Sequence, residues 1–156
     1  MTASINLLPT MRKAVSRTAC LTEAERDTIM VPTLEALGFM RESIAAAHHW
    51  NILAEACGIG LTLTEVGICS DEESVNLLTA GYTAIGDIGA RFPATHHYAP
   101  QGAELAAIDA AIERHAVQLL LCTSKDLHKA IKRRTQLKKL ARKGRLQRIT
   151  AIGVQP

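Results

Sequence analysis

The chain reads as an all-α protein, a four- to five-helix bundle with a basic C-terminal helix. Three observations predict it. Apolar residues recur at steps of three and four along most of the chain. Helix-start signals precede several of those stretches. The connections between them are short, and neither an internal repeat nor a low-complexity linker divides the 156 residues. One domain of this length can bury roughly two thirds of the surface that its unfolded chain exposes, enough for a core without disulfide or metal staples. The 47% apolar content excludes a largely disordered chain.

Residues 1–20 mix turn formers with Arg12, Lys13 and Arg17 and are expected to form an N-terminal arm; a bundle domain follows over 21–143, then a C-terminal tail over 144–156. Thr22 with Glu25 matches a capping box, and Ile29, Leu34, Leu37 and Met40 continue at helical spacing. Pro32 lacks an N–H, which predicts two short helices or one bent one. From Ser43 to about Glu65 the spacing is again helical through Ile44, Trp50, Leu53, Cys57 and Leu61, although the alternation over 61–66 also suits a strand. Gly58 and Gly60 are costly in a helix interior and predict a close approach of a neighbouring backbone. A lone GxG with no third glycine is a poor phosphate loop.

Ser70 followed by Asp71, Glu72 and Glu73 predicts the next helix start, with Val75, Leu78, Tyr82, Ile85 and Ile88 on one face. Residues 93–102 read as a loop. Leu105, Ile108, Ile112, His115 and Leu119 then mark an amphipathic helix, and Ser124 is placed to cap a last one that runs to about Lys143, before Gly144.

Charge is divided sharply. Residues 125–148 hold 11 of the 18 Lys and Arg with a single acid, Asp126. Residues 18–124 hold the other 14 acids against four arginines, so the body is about −10 and the C-terminal segment about +10. Turning 100° per residue gathers Lys125, Lys129, Lys132, Arg133, Lys139 and Lys143 on one side, opposite Leu127, Ala130, Ile131, Leu137 and Ala141. Arg134 and Lys138 interrupt that apolar face. The first two turns are therefore expected to pack, while the later turns project or meet an anionic surface.

Three readings of this block stay open: a helix that is solvated or rests on the acidic body of its own chain or a partner subunit, contact with nucleic acid, and contact with an acidic protein. The nucleic-acid reading assigns phosphate or partner contact to Lys125, Lys129, Lys132, Arg133, Arg134, Lys138, Lys139, Arg142, Lys143 and Arg145. Lys outnumbers Arg there, which suits point-charge contact more than bidentate reading of guanine.

Enzyme chemistry finds little support. His48-His49 and His96-His97 are adjacent pairs that one helix cannot aim at one metal. Asp109 and Glu113 suit a solvated face. Glu-x-x-His pairs, GxSxG, P-loop and HExxH motifs are missing. Cys20, Cys57, Cys69 and Cys122 form no CxxC pair and read as small apolar core residues of a reducing compartment, with nothing in their spacing that requires a disulfide. The expectation is a cytoplasmic, non-enzymatic protein with neither cofactor, metal nor membrane contact, homodimerisation being left open.

Residues His49-Trp50-Asn51-Ile52-Leu53-Ala54-Glu55-Ala56, continuing through Gly60 and Glu65, together with 105–119, resemble small helical proteins of bacterial phages and plasmids. Some of these carry the label of Fis-like transcriptional regulators. The resemblance spans roughly 22–135 and implies a mobile-element setting, where such proteins engage DNA, nucleoprotein complexes or host proteins. Inhibition of a host defence or replication system, as by anti-CRISPR proteins, is the alternative it implies.

Overall fold

The Thr22 hydroxyl accepts from the Glu25 amide at 3.3 Å while the Glu25 carboxylate accepts from the Thr22 amide at 2.8 Å, the reciprocal box read from the sequence. It opens α1, Glu23–Arg41, in a computed structural model that describes residues 19–142. The helices α2 (Ala47–Glu65), α3 (Glu72–Thr95), α4 (Glu104–Leu121) and α5 (Ser124–Arg142) follow. The described residues are all-α; an isolated antiparallel bridge joins Cys20 to Thr123. Most of the arm and the whole tail, with Gly144, lie outside the described residues.

Several boundaries differ from expectation, each for a local reason. Pro32 does not divide α1: Thr28, whose carbonyl loses its partner, is exposed to water, while Ile29, Thr33, Ala36, Leu37 and Met40 are buried on the same helix. The second helix starts at Ala47 rather than Ser43, whose φ of 57° ends the preceding turn, and Ile44 is exposed. Residues 61–65 are helical, and the hydroxyls of Thr62 and Thr64 donate to carbonyls three residues back, at Ile59 and Leu61. Asp71, not Ser70, caps α3, its carboxylate accepting from the amide and hydroxyl of Ser74 at 2.9 and 2.6 Å. These bonds hold its carboxyl below the ordinary range. Pro93 lies inside α3, which runs to Thr95 and closes on His96 at a φ of 56°.

Two buried clusters hold the bundle. The larger joins α1 to α4 through Leu37, Met40, Leu53, Leu78, Ile85, Ile88, Ile108 and Ile112. The smaller gathers Leu21, Ile29, Leu63, Leu119, Cys122, Leu127 and Ala130 where α4 turns into α5. Each fully buried Leu or Ile contributes about 1.5–3 kcal/mol. Helices α3 and α4 have the most extensive contact, and α5 packs along α2. The α3–α4 loop is pinned by Arg91, which donates to both Glu104 carboxylate oxygens at 2.6 Å and to the Ala99 carbonyl at 3.3 Å.

Gly60 makes room for Leu78 and for a buried polar pair. A Cβ there would lie 2.6 Å from the Leu78 Cδ2, 3.1 Å from the Gln118 Oε1 and 3.5 Å from the His115 Nδ1. The Gln118 amide donates to the carbonyls of Gly60 and Ile68 at 3.0 and 3.1 Å, so it ties α4 to the end of α2 and to the loop beyond. His115 Nδ1 lies 3.3 Å from Gln118 Oε1 and donates to it, because that oxygen only accepts. Side chains, rather than the expected backbone, fill the space beside both Gly58 and Gly60.

Candidate nucleic-acid interface

Thr123, one residue before the expected cap, starts α5. Its hydroxyl accepts from the Asp126 amide at 3.2 Å, and the Asp126 carboxylate accepts from the Thr123 amide and hydroxyl at 3.0 and 2.6 Å. These bonds, with Lys129 and Lys125 nearby, hold the Asp126 carboxyl below its usual range. The helix's single acid is thereby used at its own N-terminus.

Beyond that cap, α5 separates its cations by direction. Leu127 and Ala130 are buried against the bundle, while Ile131, Leu137 and Leu140 are half-buried. Arg134 lies on the same inward side, its side chain only 14% exposed. Its guanidinium sits 5.0 Å from the centre of the Tyr82 ring and 3.8 Å from Glu55. A Cβ on Gly58 would come within 2.4 Å of its Nε, so the glycine makes the notch it occupies. Lys138 pairs with the same Glu55, and Arg133 meets Glu65 at 3.2 Å. The two residues that break the apolar face in sequence thus both meet Glu55 of α2, and Arg133 meets the end of the same helix. The later turns do not simply project; they rest on carboxylates of the chain's own body.

The remaining cations of α5 face outward. Lys125, Lys129, Lys132, Lys139 and Arg142 are exposed and form no ion pair among the described residues. The four lysines fall within an arc of about 80°, opposite Arg134, and span about 21 Å along the helix. Lys143 and Arg145 lie outside the described residues. Of the ten cations named from the sequence, three are therefore tied to the bundle and five are open to a partner.

Phe, Tyr and Trp take no part in this face, whose one ring is that of half-buried His128. Trp50 donates from Nε1 to the Ile85 carbonyl at 2.8 Å and stacks near Tyr98, which stacks on Phe92 with centroids 4.2 Å apart. Phe39 stacks on His49 at 4.2 Å, and Tyr82 lies under Arg134. The histidine pairs are likewise engaged locally. His49 Nδ1 accepts from the Ala46 amide at 3.0 Å, and burial and then the His48 charge lower its pKa. No group of three or more His, Cys, Asp or Glu among the described residues could hold a metal ion. Asp109 pairs with Arg41 at 2.9 Å.

The four cysteines differ in exposure. Cys122 is buried at the end of α4, Cys20 is exposed and forms the backbone bridge to Thr123, and Cys69 is half-buried in the α2–α3 loop. Burial first, then the Asp126 charge, raise the Cys122 thiol to about 11. Burial pushes Cys57 to about 12. At neutral pH, iodoacetamide is therefore expected to label exposed Cys20 readily and to leave Cys57 and Cys122 unmodified until the protein is denatured, as peptide mass mapping would show. Modification of Cys57 in the folded protein would contradict this packing.

Among the described residues no helix is long and apolar enough to cross a membrane. Comparison with protein-family models, curated proteins and solved structures found no match.

Proposed function

We propose that the chain is a non-enzymatic binding protein that holds nucleic acid by its phosphate backbone, directly or within a nucleoprotein complex, through the outer face of α5. The observation that carries the reading is the stripe Lys125, Lys129, Lys132 and Lys139, left without carboxylate partners among the described residues while neighbouring cations of the same helix are paired. A row of ammonium groups displaces counterions condensed on phosphates and needs no base contact. Lysine heads make point-charge contacts, and α5 carries no Phe, Tyr or Trp on which an unstacked base could lie, its one ring being that of half-buried His128. Duplex binding without sequence preference follows from that chemistry. A mobile-element setting, implied by the resemblance to small phage and plasmid proteins, fits such a role. Fluorescence anisotropy with a labelled random-sequence duplex tests it: binding at micromolar protein or below in 50 mM salt is expected, and no binding there contradicts it.

A second reading has one observation of its own. The first turns of α3 present Glu72 and Glu73 beside Asn76, Leu77 and Ala80 on an open surface of the helix. An acidic helix surface with apolar neighbours suits a basic protein partner, as inhibition of a host defence or replication system would require. Pull-down that survives nuclease treatment and is lost on Glu72→Lys with Glu73→Lys would favour it.

A further inference from the structure

We infer that Glu55 is a positioning residue for this interface, an internal carboxylate that occupies Arg134 and Lys138 as a phosphate would and so turns the lysine stripe outward. The inference rests on the nucleic-acid reading of α5 and adds a competitor built into the bundle.

Three features support it. Glu55 takes two cations from successive turns of α5, and these are the two that break its apolar face. Fully buried apolar side chains on α5 end at Ala130, so residues 133–142 are held by half-buried Leu137 and Leu140 and by cation contacts. The two partners of Glu55 also differ in access. Arg134 is 14% exposed, under Tyr82 and against Gly58, whereas Lys138 is 45% exposed. A phosphate polymer arriving at α5 can therefore compete with Glu55 for Lys138 but not for Arg134. Glu55 sets how many cations the helix offers: the stripe at once, Lys138 only when the carboxylate yields it.

Neutralising Glu55 should release Lys138 while Tyr82 keeps Arg134 in place. Two measurements on Glu55→Gln and Glu55→Asp full-length protein separate this inference from the function it rests on. Without nucleic acid, amide exchange over residues 131–142 is expected to quicken severalfold in Glu55→Gln and to return towards wild type in Glu55→Asp. With a labelled random duplex, Glu55→Gln is expected to bind about tenfold more tightly at 50 mM salt, and the slope of log affinity against log salt should steepen by about 0.9, one further phosphate contact. A residue needed only for folding would weaken binding and leave the slope unchanged. Unaltered exchange overturns the positioning role; an unaltered slope, with wild-type protein binding, overturns the competition. If the wild-type chain binds no duplex, the function reading fails and the exchange experiment alone decides whether Glu55 positions α5.

Discussion

Glutamine at Lys125, Lys129, Lys132 and Lys139 together is expected to abolish duplex binding at 0.2 M salt and to weaken it at least about a hundredfold at 50 mM. Each lysine–phosphate contact contributes about 0.9 to the slope of log affinity against log salt, so four such contacts carry most of a non-specific complex. All four side chains are exposed, and substitutions of that kind usually alter stability by less than about 0.5 kcal/mol. A thermal melt of the variant should therefore overlay wild type. Glutamine at Arg133 instead should have a small effect, because Glu65 already engages that guanidinium. Wild-type affinity in the fourfold variant would remove α5 as the binding face.

Acid should destabilise the bundle through His115 well before carboxylates titrate. The ring is fully buried, donates from Nδ1 to Gln118 and leaves Nε2 without a partner, so burial lowers its pKa from 6.5 to about 4. The unfolded chain takes up a proton below about pH 6.5 that the folded ring refuses until about pH 4. The neutral ring's contribution is therefore present above pH 6.5 and is lost as pH falls towards 4. At about 1.4 kcal/mol per unit, the loss is about 3 kcal/mol. The carboxyls of Asp71, Glu104 and Asp126 also have lowered values, but their ordinary values of 3.8 and 4.5 place their contribution at or below the lower end of this window. Urea unfolding at pH 7.0 and 4.5 should show the difference. His115→Asn keeps a donor near the Nδ1 position; it should cost about 1–3 kcal/mol at pH 7 through the cavity it leaves and flatten the pH dependence. An equally steep dependence in His115→Asn would place the titrating group elsewhere.

Helix number and most core residues were legible because burial imposes a period on sequence: Ile108, Ile112, His115 and Leu119 recur at the spacing that places them inside α4. Boundaries were less so, since capping depends on which oxygen meets the free amides. Ser70 and Asp71 are both good caps, as are Thr123 and Ser124, and backbone geometry chooses between them. Proline leaves the outcome open: Pro32 allows a single helix where water reaches the freed carbonyl, and Pro93, expected in a loop, sits inside α3 where that helix is about to end. The candidate interface was half legible. The density of cations on α5 and the break at Arg134 and Lys138 are visible in the sequence. That Glu55, 79 and 83 residues earlier, meets both is a product of α2 and α5 lying side by side, and no local pattern records it.

The salt dependence of duplex affinity tests the central claim most directly. For wild-type protein and a labelled random duplex between 50 mM and 0.2 M salt, four lysines predict a slope near −3.6, and Arg142 as a fifth contact would bring it near −4.5. Affinity should then fall at least about a hundredfold over that range. A slope near zero, or no measurable complex at 50 mM, would contradict a phosphate-binding face on α5.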